Sequence, residues 1–281
     1  MKKKILYVLL AVLSITLTVT GCGKSAASAS GSTAAVQTLS KDNPVTLKVL
    51  ADQVPHSELL NFIKPKLAEQ GVNLEITILQ NDHGNEDTDN GDFDVNFFQH
   101  QPYLDSVKKE KGYDLANAGN IHVEPIGLYS VKYKSKEDIP EGAVIGIPND
   151  VTNEYRALKI LEENGFIKLK PDLPEHSATV KDIAEYTKKI EIKEIDSAQL
   201  IRLKDDLDGY ITNTNKILEA GIDPNSALFR EGKDSPYANI LVTKSSRVNE
   251  PAIVALKKAL TTEEVRKFIE EKYKGAVIPA F

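Results

Sequence analysis

The residues that could carry out chemistry are few and scattered along the 281-residue chain. No two histidines have the i, i+4 spacing that places two metal ligands on one helix face. There are five of them, at His56, His83, His100, His122 and His176. The sequence contains no G-x-S-x-G, H-E-x-x-H or G-x-G-x-x-G motif. It therefore predicts a protein that is not an enzyme and that has no catalytic residue, cofactor or metal.

An acidic tract runs from Asn81 to Asp94 and contains six acids. If Gly91 is aligned with the invariant glycine of a calcium loop, Glu86, Thr88 and Asn90 take the first three ligand positions. Those residues are a poor ligand set for calcium. We therefore interpret the tract as a solvated acidic loop.

Composition excludes several classes of partner. The chain has 41 acids and 35 bases, a net charge of −6, which argues against nucleic-acid binding because phosphate contacts need clustered Lys and Arg. Its single cysteine, Cys22, can form neither an intrachain disulfide nor a cysteine-based zinc or iron–sulfur site. Apolar residues make up 41% and charged residues 27%, which is typical of a globular protein.

The N-terminus has the features of an export signal. Three lysines, at positions 2–4, precede the 15 apolar or small residues Ile5–Val19, too few to span a bilayer but typical of a signal peptide. The following V-T-G-C, ending at Cys22, resembles the lipobox of bacterial lipoprotein precursors. We therefore predict a signal peptide at 1–21, a lipidated Cys22 with a flexible tether over 22–44, and anchoring at the extracytoplasmic face of the cell membrane.

From Val45 onward, strand-like and helix-like segments alternate. Strands are predicted at 45–50, 74–79 and 93–98, and helices at 57–70, kinked or broken at Pro65, and at 153–164. This alternation predicts an α/β fold, and the length suits two lobes better than one sheet. We place lobe one at 45–125 plus 238–281 and lobe two at 126–237. Two lobes without a catalytic motif suggest a solute-binding protein that holds a small ligand between them.

Several segments carry a family resemblance. Residues 94–104, D-V-N-F-F-Q-H-Q-P-Y-L, resemble the D-x-N-x-F-Q-H-x-P-Y-L signature of the methionine-binding lipoproteins of ABC importers, the NlpA lipoprotein family. The resemblance continues at 124–130, 147–158, 235–239 and 273–281. It implies a two-lobed fold like that of type II periplasmic binding proteins, a free amino acid as ligand, methionine first, and ABC permease and ATPase subunits as partners.

The resemblance also implies roles for individual residues. Asn153 and Arg156 would bind the ligand carboxylate, since they lie at a predicted helix start, which attracts anions. Asn213 or Asn239 would accept from the ammonium, and the sequence does not decide between them.

The side chain of the ligand would contact aromatic residues. Phe98 would provide an apolar or sulfur–aromatic wall, and His100 would form a hydrogen bond at the rim. Tyr103 is a weaker candidate, because a tyrosine in an α/β protein more often packs in the core.

One departure bears on the ligand. The family usually has an Asp-Tyr pair about 17 residues before the phenylalanine equivalent to Phe98. Here Gln80 and Asn81 take those positions, which predicts a more polar pocket. Two alternatives therefore stay open. One is a more polar amino acid or a short peptide as ligand, and the other is a metal-binding lipoprotein using His83, His100 or His122.

Replacing Cys22 with Ala should release the protein from membranes, because the acyl chains on this residue are the predicted anchor. Cell fractionation measures the distribution between soluble and membrane fractions. If Cys22→Ala still pellets with membranes at high salt, the predicted lipid anchoring is wrong.

Overall fold

The computed structural model describes residues 38–232 and 235–281. The predicted signal peptide, Cys22 and the tether up to residue 37 lie outside the described residues. Within the last part of the predicted tether, Leu39 packs against a hydrophobic core, and Ser40 forms a β-bridge with Asn43. The chain therefore contacts the folded body several residues before its first long strand.

Six strands form the first sheet: β1 (Val45–Ala51), β2 (Val72–Ile78), β3 (Val95–His100), β4 (Leu115–Val123), β12 (Ala238–Lys244) and β13 (Ile278–Pro279). Their order across the sheet is β13-β4-β12-β3-β1-β2. Strand β1 pairs in parallel with β2 and β3, whereas β12 is antiparallel to both β3 and β4. The carboxyl ends of β1, β2, β3 and β4 therefore meet at one edge.

Five strands form the second sheet: β5 (Gly127–Tyr129), β6 (Ala143–Pro148), β9 (Ile190–Ile195), β10 (Gly209–Thr212) and β11 (Phe229–Arg230). Their order is β11-β5-β10-β6-β9, with β6 parallel to β9 and β10. A separate antiparallel pair consists of β7 (Ile167–Leu169) and β8 (Ile183–Tyr186).

The helices are α1 (Glu58–Glu69), α2 (Gly84–Asn90), α3 (Gln101–Lys111), α4 (Val151–Glu163), α5 (Ser197–Leu200), α6 (Thr214–Glu219), α7 (Pro251–Leu260) and α8 (Glu263–Tyr273). Apolar residues spaced along α1, α7 and α8 pack on the first sheet to form one core, while α4 packs on the second sheet to form another. Each sheet thus has its own hydrophobic core, as a lobe that folds around one sheet requires.

The prediction of a mixed α/β fold with two lobes is confirmed by these two sheets and their separate cores. The chain passes between the sheets after β4 and again before β12. We propose the lobe boundaries inferred from the sequence, 45–125 plus 238–281 and 126–237, as the division of the chain.

One local prediction was wrong. The acidic tract forms helix α2 rather than a loop, and its buried face is polar: Asn96 Nδ2 donates to Thr88 Oγ1 and Asn85 Oδ1. Helix α2 therefore lacks the apolar periodicity by which sequence reasoning finds helices. Helix α1 continues through Pro65. Because Pro65 has no N–H, the carbonyl of Asn61 loses its helical hydrogen bond. Both residues are exposed, so water can solvate that carbonyl.

A buried polar network lies where the chain passes between the sheets. His122 Nε2 is 2.8 Å from Glu124 Oε1, and His56 Nε2 is 3.4 Å from the same oxygen and 3.0 Å from Asn239 Oδ1. The backbone N–H of Asn215, in the second lobe, donates to Glu124 Oε2 at 2.7 Å. Glu124 follows β4 and Asn239 lies in β12, so His56 connects both crossing segments.

Among the described residues, no helix is both long and apolar enough to cross a membrane.

Acid should destabilise the protein partly through His122. Burial lowers the pKa of this histidine to about 3 from its ordinary value of 6.5. Near pH 5, His122 in the unfolded chain therefore binds a proton that His122 in the folded protein does not bind. The contribution of His122 to the free energy of unfolding is thus present above pH 6.5 and is lost as the pH falls towards 3. Between pH 7.5 and pH 5 the loss is about 2 kcal/mol.

Urea unfolding at these two pH values measures the effect. A His122→Gln variant should lose about 2 kcal/mol less than the parent between pH 7.5 and pH 5. His83→Gln is the control, because His83 is exposed and paired with Glu86, and it should not flatten the pH dependence. If His122→Gln kept the parent's pH dependence, the histidine would be protonated in the folded state as well.

Candidate ligand-binding cavity

A cavity of about 470 Å³ lies between the two sheets, a volume in the range of small-molecule sites. Its walls come from the carboxyl ends of strands in both sheets, where α/β proteins bind ligands. Six of the seven predicted ligand-binding residues lie on these walls: Phe98, His100, Tyr103, Asn153, Asn213 and Asn239. The seventh, Arg156, is not among the described wall residues and lies behind Asn153.

Asn153 is the centre of the polar contacts between the lobes. It lies in the first turn of α4, where Asp150 caps the helix by accepting from the Asn153 N–H at 3.0 Å. Asn153 Nδ2 donates to both carboxylate oxygens of Asp150, which fixes the orientation of the amide. Its Oδ1 then accepts from Asn213 Nδ2 at 3.1 Å and lies 3.3 Å from His100 Nε2 of the other lobe.

Arg156 is 1% exposed and its charge is balanced within the protein. Its Nε and Nη2 donate to the two carboxylate oxygens of Glu231 at 2.9 and 2.7 Å. Nη2 also donates to the Glu124 carbonyl, and Nη1 donates to Asn153 Oδ1 at 3.2 Å. The guanidinium carbon lies 4.2 Å from the centre of the Tyr237 ring, in cation–π geometry. One N–H of Nη1 is left without an acceptor among the described residues.

His100 is held as a neutral hydrogen-bond donor. Burial, followed by the positive charge of Arg156, lowers its pKa to about 3. Its Nδ1 accepts from the Tyr103 N–H at 3.2 Å at the start of α3, so the proton of the neutral ring is on Nε2. Nε2 faces Asn153. The two residues therefore join the lobes through a donor–acceptor pair that needs no ionisation.

The aromatic wall consists of Phe98 and Tyr103, whose ring centres are 6.4 Å apart with an edge-on orientation. The Phe98 ring lies so close to Gly84, at the start of α2, that an added Cβ there would come within 2.7 Å of it. Leu79 is a third apolar member of this wall. Together they give the first lobe a surface on which an alkyl or thioether chain can pack.

Asn213 and Asn239, the two asparagines predicted to bind the ligand ammonium, differ in whether the side-chain oxygen already has a partner. Asn239 Oδ1 is 3.0 Å from His56 Nε2 and so already has a partner. Asn213 Nδ2 donates to Asn153, and among the described residues no donor bonds its Oδ1, so this oxygen can accept from a ligand.

Sequence reasoning missed several charged or polar wall residues, among them Asp52, Glu124, Asn215 and Lys216. Asp52 belongs to the first lobe, and Asn215 Nδ2 of the second lobe donates to its Oδ2 at 2.6 Å. Lys216 Nζ lies 3.6 Å from the same oxygen. Asp52 follows a strand that the sequence predicted, but nothing in the sequence brings together Asp52 and Asn215, which are 163 residues apart.

The residues that depart from the family pattern also line the cavity. Gln80 and Asn81 are exposed wall residues after β2, next to Asp82. Asn81 Oδ1 accepts from the His83 N–H at 3.0 Å, which holds the turn into α2. This part of the wall is therefore polar.

The histidines considered for a metal do not come together as a set. His83 pairs with Glu86 at the surface, and His100 faces Asn153. A different group, His56, His122 and Glu124, places donor atoms within 4.8 Å of one another. However, both Nδ1 atoms lack a hydrogen-bond partner among the described residues, whereas metal-binding histidines usually donate from the second nitrogen. This group is better described as a hydrogen-bonded network.

The chain matches known proteins over almost all of this body. The model of the NlpA lipoprotein family matches residues 47–281. A relative from Vibrio cholerae serotype O1, named probable D-methionine-binding lipoprotein MetQ, is 36% identical over 273 residues, which are 96% of this chain and 95% of the relative.

Two solved structures are similar to this chain in fold as well as in sequence. A nutrient-binding protein from Burkholderia cenocepacia, bound to methionine, is 40% identical with a TM-score of 0.80, and the match covers 84% of this chain and 100% of that one. An ABC transporter periplasmic substrate-binding protein from Coxiella burnetii is 35% identical with a TM-score of 0.79, over 83% and 100% of the two chains.

The two-lobed α/β body, the cavity at the strand ends and the match over residues 47–281 agree with one another. The chain belongs to the NlpA lipoprotein family.

Proposed function

We propose that this protein is a lipid-anchored substrate-binding protein of an ABC importer that binds a free amino acid in the cavity between its lobes. The observation that carries the proposal is the pairing of Asn153 with His100 across that cavity, because closing the lobes on a ligand requires polar groups from both. The cavity walls hold acceptors, donors and an apolar surface, which are the three kinds of contact that an amino acid needs. The protein would act by binding and release, without chemistry on the ligand.

The carboxylate of the ligand would lie at the start of α4. The Nε2–H of neutral His100 donates to Asn153 Oδ1 in this structure and would turn to the carboxylate when the ligand binds, and Arg156 has one N–H of Nη1 to offer. Since two sides of the Arg156 guanidinium are used by Glu231, this arginine would give a single-point contact rather than the two-point fork that the sequence suggested.

The ammonium of the ligand would lie among the acceptors next to Asn153. The hydrogen bond from Asn213 Nδ2 to Asn153 orients Asn213 Oδ1, which has no donor among the described residues. Asn239 would contribute beside it, and its link to His56 keeps its side chain in place. Glu124 and Asp52 add negative charge to the same buried end of the cavity.

Methionine is the first candidate for the ligand. The Burkholderia cenocepacia structure is bound to methionine, and the Vibrio cholerae relative is named for D-methionine. Phe98, Tyr103 and Leu79 would contact the thioether side chain. The polar Asn81 in the same wall supports a broader side-chain range than methionine alone.

The location of the protein and its delivery of the ligand depend on the lipid anchor. A diacylglyceryl group on Cys22 would hold the protein at the extracytoplasmic face of the cell membrane. There it would deliver the amino acid to the permease of an ABC importer, whose ATPase subunits drive transport.

Isothermal titration calorimetry of the chain without its signal peptide, against the twenty amino acids, tests the ligand. We expect tight binding of methionine, and mass spectrometry of the purified protein should find an amino acid carried through purification. Selective binding of a divalent metal, with no amino acid bound, would contradict the proposal and favour a metal-binding lipoprotein.

Replacing Arg156 with Lys should weaken amino-acid binding by tenfold or more. A lysine ammonium cannot pair with Glu231 and hold Asn153 in the same geometry, because it lacks the planar fork. Arg247→Lys is the matched control: Arg247 also pairs with carboxylates, Glu250 and Asp94, but, unlike Arg156, its pairs include no residue of the cavity wall. Its ligand affinity should stay within twofold of the parent.

Measurements of unfolding free energy distinguish a structural role of Arg156 from a role in ligand binding. Arg156→Ala leaves Glu231 buried without its partner, which should cost about 3–5 kcal/mol of unfolding free energy. If Arg156→Lys folded normally and bound the amino acid like the parent, Arg156 would have a structural role only.

A further inference from the structure

Gly84, the first residue of α2, lies directly behind the aromatic wall of the cavity. It is buried and is not among the described wall residues, whereas Phe98 and Leu79 are. A Cβ added at Gly84 would lie 2.7 Å from Phe98 Cε1, 3.1 Å from Phe98 Cζ and 3.2 Å from Leu79 Cδ1. The wall therefore rests on the backbone of α2, with no room for a side chain between them.

The backbone conformation at this position does not require glycine. Gly84 belongs to a helix and its φ lies outside the left-handed region, unlike that of Gly91 at the other end of α2, where φ is 88°. Within a helix, glycine is less favourable than alanine. The close approach of Phe98 and Leu79 is thus the structural reason for a glycine here.

Helix α2 cannot easily move away from the wall, because buried polar side chains fix it to β3. Asn96 Nδ2 and Thr88 Oγ1 both donate to the Gly84 carbonyl, at 3.2 and 2.7 Å. Asn85 Nδ2 donates to Gln99 Oε1 at 3.0 Å, and Gln99 Nε2 donates to Asn85 Oδ1 at 2.6 Å. A shift of the helix would leave several of these groups buried without a partner, which is costly.

A methyl group at position 84 would therefore displace the wall rather than the helix. The atoms nearest to the added Cβ are the ends of side chains, the ring of Phe98 and a methyl group of Leu79. Crowding of this kind is relieved by changes in side-chain torsions. Phe98 borders α2 on one side and the cavity on another, so a ring pushed away from Gly84 moves into the cavity.

We propose that Gly84 is a specificity-determining residue of the cavity. By leaving room for the Phe98 ring against α2, it sets the length of the amino-acid side chain that the aromatic wall accepts. Gly84 acts through Phe98 and Leu79 and does not itself contact the ligand. This inference rests on the proposed function, because it assumes that the side chain of an amino acid packs on this wall.

Gly84→Ala adds one methyl group behind the wall and tests this role. Calorimetry with 2-aminobutyrate, norvaline, norleucine and methionine compares side chains of increasing length. The methionine-to-2-aminobutyrate affinity ratio should fall at least about tenfold relative to the parent, because the displaced ring occupies space that only the longer side chain needs. A general loss of stability would weaken all four ligands alike and leave this ratio unchanged.

Gly119→Ala is the matched control. Gly119 lies in β4 of the same lobe and is also buried, and a Cβ added there would lie 2.8 Å from Lys257 Cε. Neither Gly119 nor Lys257 is among the described wall residues. This variant crowds the lobe to a similar degree away from the cavity, so its affinity ratio should stay within twofold of the parent.

Phe98→Leu tests whether Gly84 acts through the ring, since leucine lacks the Cε1 and Cζ atoms that approach Gly84. In the Phe98→Leu background, Gly84→Ala should change the affinity ratio less than threefold. A tenfold change in both backgrounds would overturn the role assigned to the ring. If Gly84→Ala alone does not fold, adding Phe98→Leu should restore folding, and a failure to do so would also contradict the inference.

The outcomes separate this inference from the proposed function. If the parent binds methionine and Gly84→Ala keeps the parent's affinity ratio, the role of Gly84 is wrong and the amino-acid function stands. If the parent binds no amino acid, the proposed function itself is wrong.

Discussion

The structure around the cavity depends on one buried ion pair, Arg156 with Glu231. A guanidinium that is 1% exposed is stable only with a carboxylate beside it, and Glu231, 10% exposed at its side chain, supplies two hydrogen bonds. Glu231 also accepts from the backbone N–H of Ile126, just after the first crossing between the lobes. The pair thus connects α4 to the chain segment that joins the two sheets.

The geometry of Asn153 follows from this pair. Arg156 reaches Asn153 Oδ1 from one side and Asp150 holds Nδ2 from the other, so the amide cannot rotate. His100 then meets a fixed acceptor when the lobes are together. A fixed polar centre lowers the entropic cost of binding, because fewer side chains must be ordered when a ligand enters.

A second network behaves in the same way and connects both crossing segments. Glu124 connects two buried histidines to the backbone of Asn215 in the second lobe, and Asn239 is connected through His56. These polar groups have partners from three or more separate parts of the chain. Such networks specify one arrangement of the lobes, since a displaced member would leave others buried without a partner.

The sequence by itself determined the fold class and several of the positions on the cavity wall. Alternation of strands and helices predicted the two lobes, and Phe98, His100, Asn153 and Asn239 lie next to strand ends, where α/β sheets place ligand residues. Segments such as 94–104 indicated the family because they carry consecutive specific residues.

Only the tertiary structure decided which of these residues are free to act. Glu231 is 75 residues from Arg156, and Asn215 is 163 residues from Asp52, so no local sequence pattern predicts either contact. Helix α2 was missed for a related reason: its buried face consists of Asn85 and Thr88, which hydrogen-bond to Asn96 instead of following an apolar period. Polar contacts between distant segments depend on how the sheets are placed, and that placement is a property of the folded chain rather than of any one stretch of it.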